Sequence, residues 1–98
     1  MSEPFDITYK SLCLIPSKSA AYEMFKFGLD LTDCKRILET GYSPRRRAED
    51  VEEKWLDAGN KTHNIVIVRA YNYFFDEEVW IIKHVGRFTK KWKVKGKG

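Results

Sequence analysis

The stretch that decides the fold runs from Asn64 to Phe88, NIVIVRAYNYFFDEEVWIIKHVGRF. Two runs rich in Val, Ile, Tyr, Phe and Trp flank the acidic connection Asp76-Glu77-Glu78. Such residues suit a pleated, half-buried surface, so the stretch reads as a β-hairpin. Arg69, Lys83, His84 and Arg87 sit inside these apolar runs. A charge among core strands is costly unless it is paired or put to use, which makes these residues the first candidates for a site. The solvent face of the sheet is the other place for them. Asp-Glu-Glu lacks the Asn-Gly chemistry of a two-residue turn, so a longer loop is expected. A four-residue loop with Phe74 facing Val79 puts Arg69 opposite His84, with Tyr71 and Tyr73 on the same face. A loop of three or five residues puts His84 with Ala70 and Asn72 instead.

Upstream, residues 5–15, FDITYKSLCLI, alternate in part and read as a strand or an extended arm ended by Pro16. Ser17 is a helix N-cap for SKSAAYEMFKFG, with Ala21, Met24, Phe25 and Phe27 facing inward and Gly28 supplying the left-handed end. Thr32 then caps a second helix, DCKRILET, whose apolar face carries Cys34, Ile37 and Leu38, and Gly41 stops it. YSPRRRAED, residues 42–50, reads as an exposed crossing loop. VEEKWLD, Val51 to Asp57, fits a helix and an edge strand equally by periodicity. Ala58-Gly59-Asn60-Lys61 is a turn. The order predicts an α+β fold, two N-terminal helices packed on a three- to four-stranded antiparallel meander sheet. Residues 1–90 form a single domain and 91–98 a basic, flexible tail.

LTDCKRILETG, EEKWLDAGNKTHNIVIVRAYNYFF and EEVWIIKHVGRF together resemble the RelE/ParE-like toxin superfamily, with BrnT-like toxins and related families nearest. The resemblance covers roughly residues 20–88 and favours a strand for Glu52 to Asp57. It implies an endoribonuclease that cleaves RNA, on the ribosome or free, under the control of a partner antitoxin. It carries over no catalytic set. The basic run that follows the last strand in BrnT-like proteins has a different arrangement here, in His84, Arg87, Lys90 and Lys91.

The net charge of +4 is unevenly placed. Six basic residues and no acids lie between Arg87 and Gly98, while residues 1–86 hold 12 basic and 14 acidic ones, a net of −2. A second basic focus is Arg45-Arg46-Arg47. Nucleic-acid binding is compatible with this distribution, with no uniformly basic body. No apolar run approaches the roughly 18 residues a membrane span needs, and no secretory leader is visible, so a cytoplasmic location is expected and no membrane partner. The absence of Gln beside many Lys and Glu suggests a thermophilic source. Cys13 and Cys34 lack metal-ligand spacing and read as small buried hydrophobes, with a disulfide between them possible only in an unusual intracellular setting.

Metal-independent RNA cleavage needs a base for the 2′-hydroxyl, a cation for the phosphorane and an acid for the leaving oxygen. His84 is the candidate acid or base, with an unperturbed pKa of about 6.5, and Arg69 and Arg87 are candidate phosphate clamps. Arg45, Arg46, Arg47, Lys83, Lys90, Lys91, Trp92 and Lys93 are candidate nucleic-acid contacts, the tail interleaving lysines with Phe88 and Trp92 as single-strand binders do. His63 reads as a surface residue beside a turn. No metal or cofactor is expected, since neither zinc spacing nor a glycine-rich phosphate loop is present. The competing functions are a non-catalytic nucleic-acid-binding module and a protein-interaction module of the same fold.

Overall fold

A computed structural model describes residues 7–45 and 47–89. The chain runs β1 (Thr8–Tyr9), β2 (Leu12–Pro16), α1 (Lys18–Phe27), α2 (Leu31–Thr40), β3 (Val51–Ala58), β4 (Lys61–Asn72) and β5 (Glu77–Thr89). The five strands form one sheet in the order β1-β2-β5-β4-β3. β2 lies parallel to β5, with Leu14 opposite Trp80, and every other neighbouring pair is antiparallel.

This corrects the expected architecture. The sheet is mixed and five-stranded, not a three- to four-stranded antiparallel meander, and a hairpin precedes the helices. The cause lies at Lys10 and Ser11. Both take positive φ, 51° and 72°, and so close a two-residue turn between Tyr9 and Leu12. The stretch read as one strand or arm is therefore two strands, and the second inserts beside β5. Ser17 N–H extends that pairing by bonding to Ile82 O at 2.9 Å.

Local signals set both helices. Ser17 Oγ accepts from Ala20 N–H at 3.1 Å, and Gly28 ends α1 at φ 71°. The buried stripe of α1 is Ala20 and Met24, with Phe27 packed against the core; Ala21 is exposed, and Phe25 is 84% exposed rather than inward. The cap of α2 is Asp30, two residues before the Thr32 expected in that role. Asp30 and Asp33 form a reciprocal capping box, with bonds of 2.8 and 3.0 Å. Cys34, Ile37 and Leu38 form its buried face as expected. Gly41 is extended, not left-handed. A Cβ there would fall 2.5 Å from Trp55 O and 2.6 Å from Ile37 O, so glycine is required by close approach.

The helices cover one face, where Leu14, Ile65, Ile67, Trp80, Ile82 and Val85 meet Ala20, Met24, Ile37 and Leu38. The curl of the sheet brings its two ends together. Tyr9 donates to Glu52 Oε1 at 2.9 Å, and Lys10 pairs with Glu52 Oε2 at 2.6 Å. Burial opposes charge on Glu52, but the bonds from Lys10 and Tyr9 outweigh it and hold its carboxyl below the usual range. Burial and the Glu52 carboxylate push the Tyr9 phenol well above its ordinary value. No disulfide joins Cys13 and Cys34, and burial pushes the Cys34 thiol up to about 12. Among the described residues no helix is long and apolar enough to cross a membrane.

Candidate nucleic-acid interface

The β4–β5 hairpin has the four-residue loop expected of it, but the loop lies two residues earlier in the chain. Asn72 pairs with Glu77, so Tyr73, Phe74, Phe75 and Asp76 form the turn. Asn72 Oδ1 accepts from Phe75 N–H at 2.8 Å, Asp76 takes φ 57°, and Tyr71 O–H bonds to Asp76. An Asx-type turn thus overrides the strand propensity of three aromatic residues. Arg69 consequently faces Trp80, not His84.

A bulge completes the separation. Ile67 pairs with Ile82 and Val66 with His84, leaving Lys83 as the extra residue. Directly paired residues share a face. Trp80 and Ile82 point to the core before the bulge; Val85 and Arg87 point there after it. His84 therefore goes with Val66, on the face the helices leave open. Gly86 confirms the side, since a Cβ built there would meet the Asn64 carboxamide oxygen and, at 2.9 Å, His84 Nε2.

On this open face His84 has a carboxylate partner from α1. Beyond Ser17 the β2–β5 pairing ends, and Glu23 fills the freed edge. Its Oε1 accepts from Val85 N–H at 2.8 Å and stands 3.3 Å from His84 Nδ1. The imidazole is half exposed. A carboxylate beside Nδ1 favours this orientation of the ring, which places Nε2 over Gly86.

Across the sheet, Val66 separates His84 from Glu53 on β3. Two strand spacings amount to about 10 Å. Glu53 is 5% exposed and accepts from Arg47 at 3.0 Å and from Trp55 Nε1 at 2.9 Å, with Arg45 Nε at 3.4 Å. Both guanidiniums remain partly in solvent. They line a cleft of about 450 Å³ that wraps the β3 edge, with Lys10, Lys54 and Glu52 on its other side. In the next row on the same face, Trp55 meets Phe88 edge to face at 5.2 Å, and Tyr42 meets Trp55 at 6.3 Å. Tyr42 and Phe88 are exposed.

The residues expected at the site divide accordingly. His84, Arg45 and Arg47 share the open face. Arg69 is held by Asp50 at 2.7 Å and Glu78 at 3.8 Å and lies over Trp80. Asp50 holds the Arg69 guanidinium above its ordinary pKa. Arg87 lies over Phe27 at 5.1 Å, opposite His63. Lys83 is exposed at the bulge. Arg46, Lys90, Lys91, Trp92 and Lys93 lie outside the described residues. Glu23, Glu53, Asn64 and Trp55 went unnoticed as site residues. Only the Glu53-x-Trp55 spacing, which places both on one strand face, could have flagged two of them. His63 is half-buried, and its Nδ1 is enclosed without a hydrogen-bond partner. Burial first, then Arg87 and Arg36, pulls its pKa below the ordinary value.

Among the described residues no cluster of His, Cys, Asp or Glu could hold a metal ion. No family model, curated protein or solved structure matches the chain.

Proposed function

We propose that the chain is a toxin-like endoribonuclease that takes single-stranded RNA across the open face of its sheet and is controlled by a partner antitoxin. The observation that carries this reading is the Glu23–His84 pair on the same face as Arg45, Arg47 and the Trp55–Phe88 aromatics. Arginines attract and orient phosphates, while aromatic rings accept bases by stacking. His84 Nε2 takes the proton of a 2′-hydroxyl as that oxygen attacks the adjacent phosphorus. The 5′-oxygen leaves with a proton from solvent or from Lys83, giving a 2′,3′-cyclic phosphate and a 5′-hydroxyl. Glu23 stabilises the imidazolium that forms, as a carboxylate does beside a catalytic histidine.

The test is cleavage of single-stranded and ribosome-bound RNA in the presence of a chelator, with product ends identified. His84→Ala is expected to lower the rate by about 10²–10⁴, the usual contribution of a positioned acid or base. Glu23→Gln should lower it less and move its pH profile. Wild-type protein that cleaves neither substrate, or His84→Ala protein that cleaves normally, would sink the reading. A non-catalytic RNA-binding module is the second reading. It is favoured by the placement of Arg69 and Arg87 away from His84, which leaves no arginine beside the imidazole, Arg45 and Arg47 being paired to Glu53 across the sheet. It predicts salt-sensitive binding with no product.

A further inference from the structure

The open face does not account for the hairpin tip. Tyr73 and Phe74 are 88% and 90% exposed there, beside the partly exposed Tyr71 and Phe75. Tyr71 and Tyr73 meet edge to face at 4.9 Å, and Phe74 and Phe75 at 5.3 Å, so the tip carries two ring pairs. Four exposed aromatic rings at one hairpin tip mark an interaction surface. Three carboxylates surround them, Asp76, Glu77 and Glu78, with Arg69 as a partial counter-charge to Glu78. That acidity opposes an RNA backbone or an anionic bilayer, and two such tips repel one another.

Its complement is a segment with cations and apolar groups together. Residues 90–98, KKWKVKGKG, carry five lysines with Trp92 and Val94 between them. Lysine ammonium groups bind the faces of aromatic rings as well as carboxylates. The segment cannot reach the tip of its own chain. β5 carries the chain from Glu77 to Thr89, about 40 Å at the rise of a strand. Nine extended residues span about 30 Å at most. We propose that the aromatic, acidic tip of the β4–β5 hairpin docks the lysine-rich segment 90–98 of a second copy of this chain, head to tail.

Such a contact is heterologous: each copy offers one tip and one basic segment, so association continues past the dimer unless it closes into a ring. The experiment is sedimentation velocity on nuclease-treated, full-length protein over a wide concentration range. The wild type should grow beyond dimers with concentration, and high salt should reverse this. Tyr73→Ser/Phe74→Ser protein and Lys90→Glu/Lys91→Glu/Trp92→Ser protein should each be monomeric. Mixed in equal amounts they should form dimers and stop there, since the first keeps only the basic segment and the second only the tip. A monomeric wild type at every concentration overturns the proposal, as does undiminished assembly of either variant alone. Tyr73 and Phe74 lie apart from His84 and its partners, so a failed ribonuclease assay leaves this outcome unaffected.

Discussion

The two halves of β5, on either side of Lys83, follow opposite rules. From Val79 to Ile82 the even-numbered residues face the core, with Trp80 and Ile82 buried against the helices. From His84 onward the odd-numbered ones do, with Val85 fully buried and Arg87 over Phe27. One unpaired residue makes the difference, because strand side chains alternate and an extra residue exchanges the faces. Without it His84 would follow Trp80 and Ile82 into the core. The bulge therefore satisfies two demands at once: it delivers Val85 to the core and His84 to the open face beside Glu23.

The strongest way to break this comparison is to charge the residue that the second half commits to the core. Val85→Asp places a carboxylate where Ile65 and Ile82 pack, and it should destabilise the fold by more than about 4 kcal/mol, the range reserved for unpaired buried charge. His84→Asp, one residue away, should keep the fold, with thermal unfolding and circular dichroism as the readouts. Equal damage from both would mean that the faces are not exchanged at Lys83.

Deleting Lys83 asks a finer question. The pairs Ile67–Ile82, Val66–His84 and Ile65–Val85 can all persist in a regular ladder, so stability should change by about 1 kcal/mol or less. The bulge also twists the strand and aims its side chains. Loss of that aim should separate His84 from Glu23 and lower RNA cleavage by about a hundredfold, equivalent to about 2.7 kcal/mol. A deletion variant that cleaves as well as the wild type would show that His84 owes its placement to the face alone.

The bulge also explains how much could be read in the sequence. Short-range signals were legible: Ser17 and Gly28 bound α1, Cys34, Ile37 and Leu38 mark the inner face of α2, and Gly59-Asn60 turns β3 into β4. Each acts through its own backbone neighbourhood. The parallel pairing of β2 with β5 joins Cys13 to Val79, and nothing local reports a contact so distant along the chain. Periodicity over VWIIKHVGRF likewise carries no mark of a skipped residue, since Lys83 and His84 are both polar. The clamp role given to Arg69 depended on that unreadable parity. The place of His84 beside Glu23 depends on it as well, since the skipped residue is what turns His84 away from the core.

The faces can also be compared by their arginines. Arg45→Gln/Arg47→Gln leaves an amide donor near Glu53 in place of each guanidinium while removing two cations from the open face. For a single strand each lost phosphate contact should reduce the salt slope of binding by about 0.7, or about 1.4 for the pair. Arg69→Gln/Arg87→Gln removes the same charge from the other face. It should leave the slope of RNA binding nearly unchanged, as measured by fluorescence anisotropy across a salt series. A larger change from the second pair would move the RNA to the margins of the helix-covered face.

The smallest expected effect concerns His63, the histidine that faces Arg87. Burial, Arg87 and Arg36 all disfavour its protonated form, so its folded pKa lies below the unfolded value of about 6.5. The unfolded chain then binds more protons wherever the pH lies between the two values. Stability attached to this residue is fully present above about pH 6.5 and is lost as the pH falls toward the folded pKa. His63→Phe removes the enclosed, unpartnered Nδ1 together with the titration. Denaturant unfolding between neutral and mildly acidic pH should therefore decline less steeply for the variant than for the wild type. Glu52, whose carboxyl is also held below its ordinary range, contributes a separate decline at lower pH that His63→Phe leaves intact. Parallel curves for variant and wild type through the first window would show that Arg87 and Arg36 do not press on His63, and that this margin of the sheet is open to water.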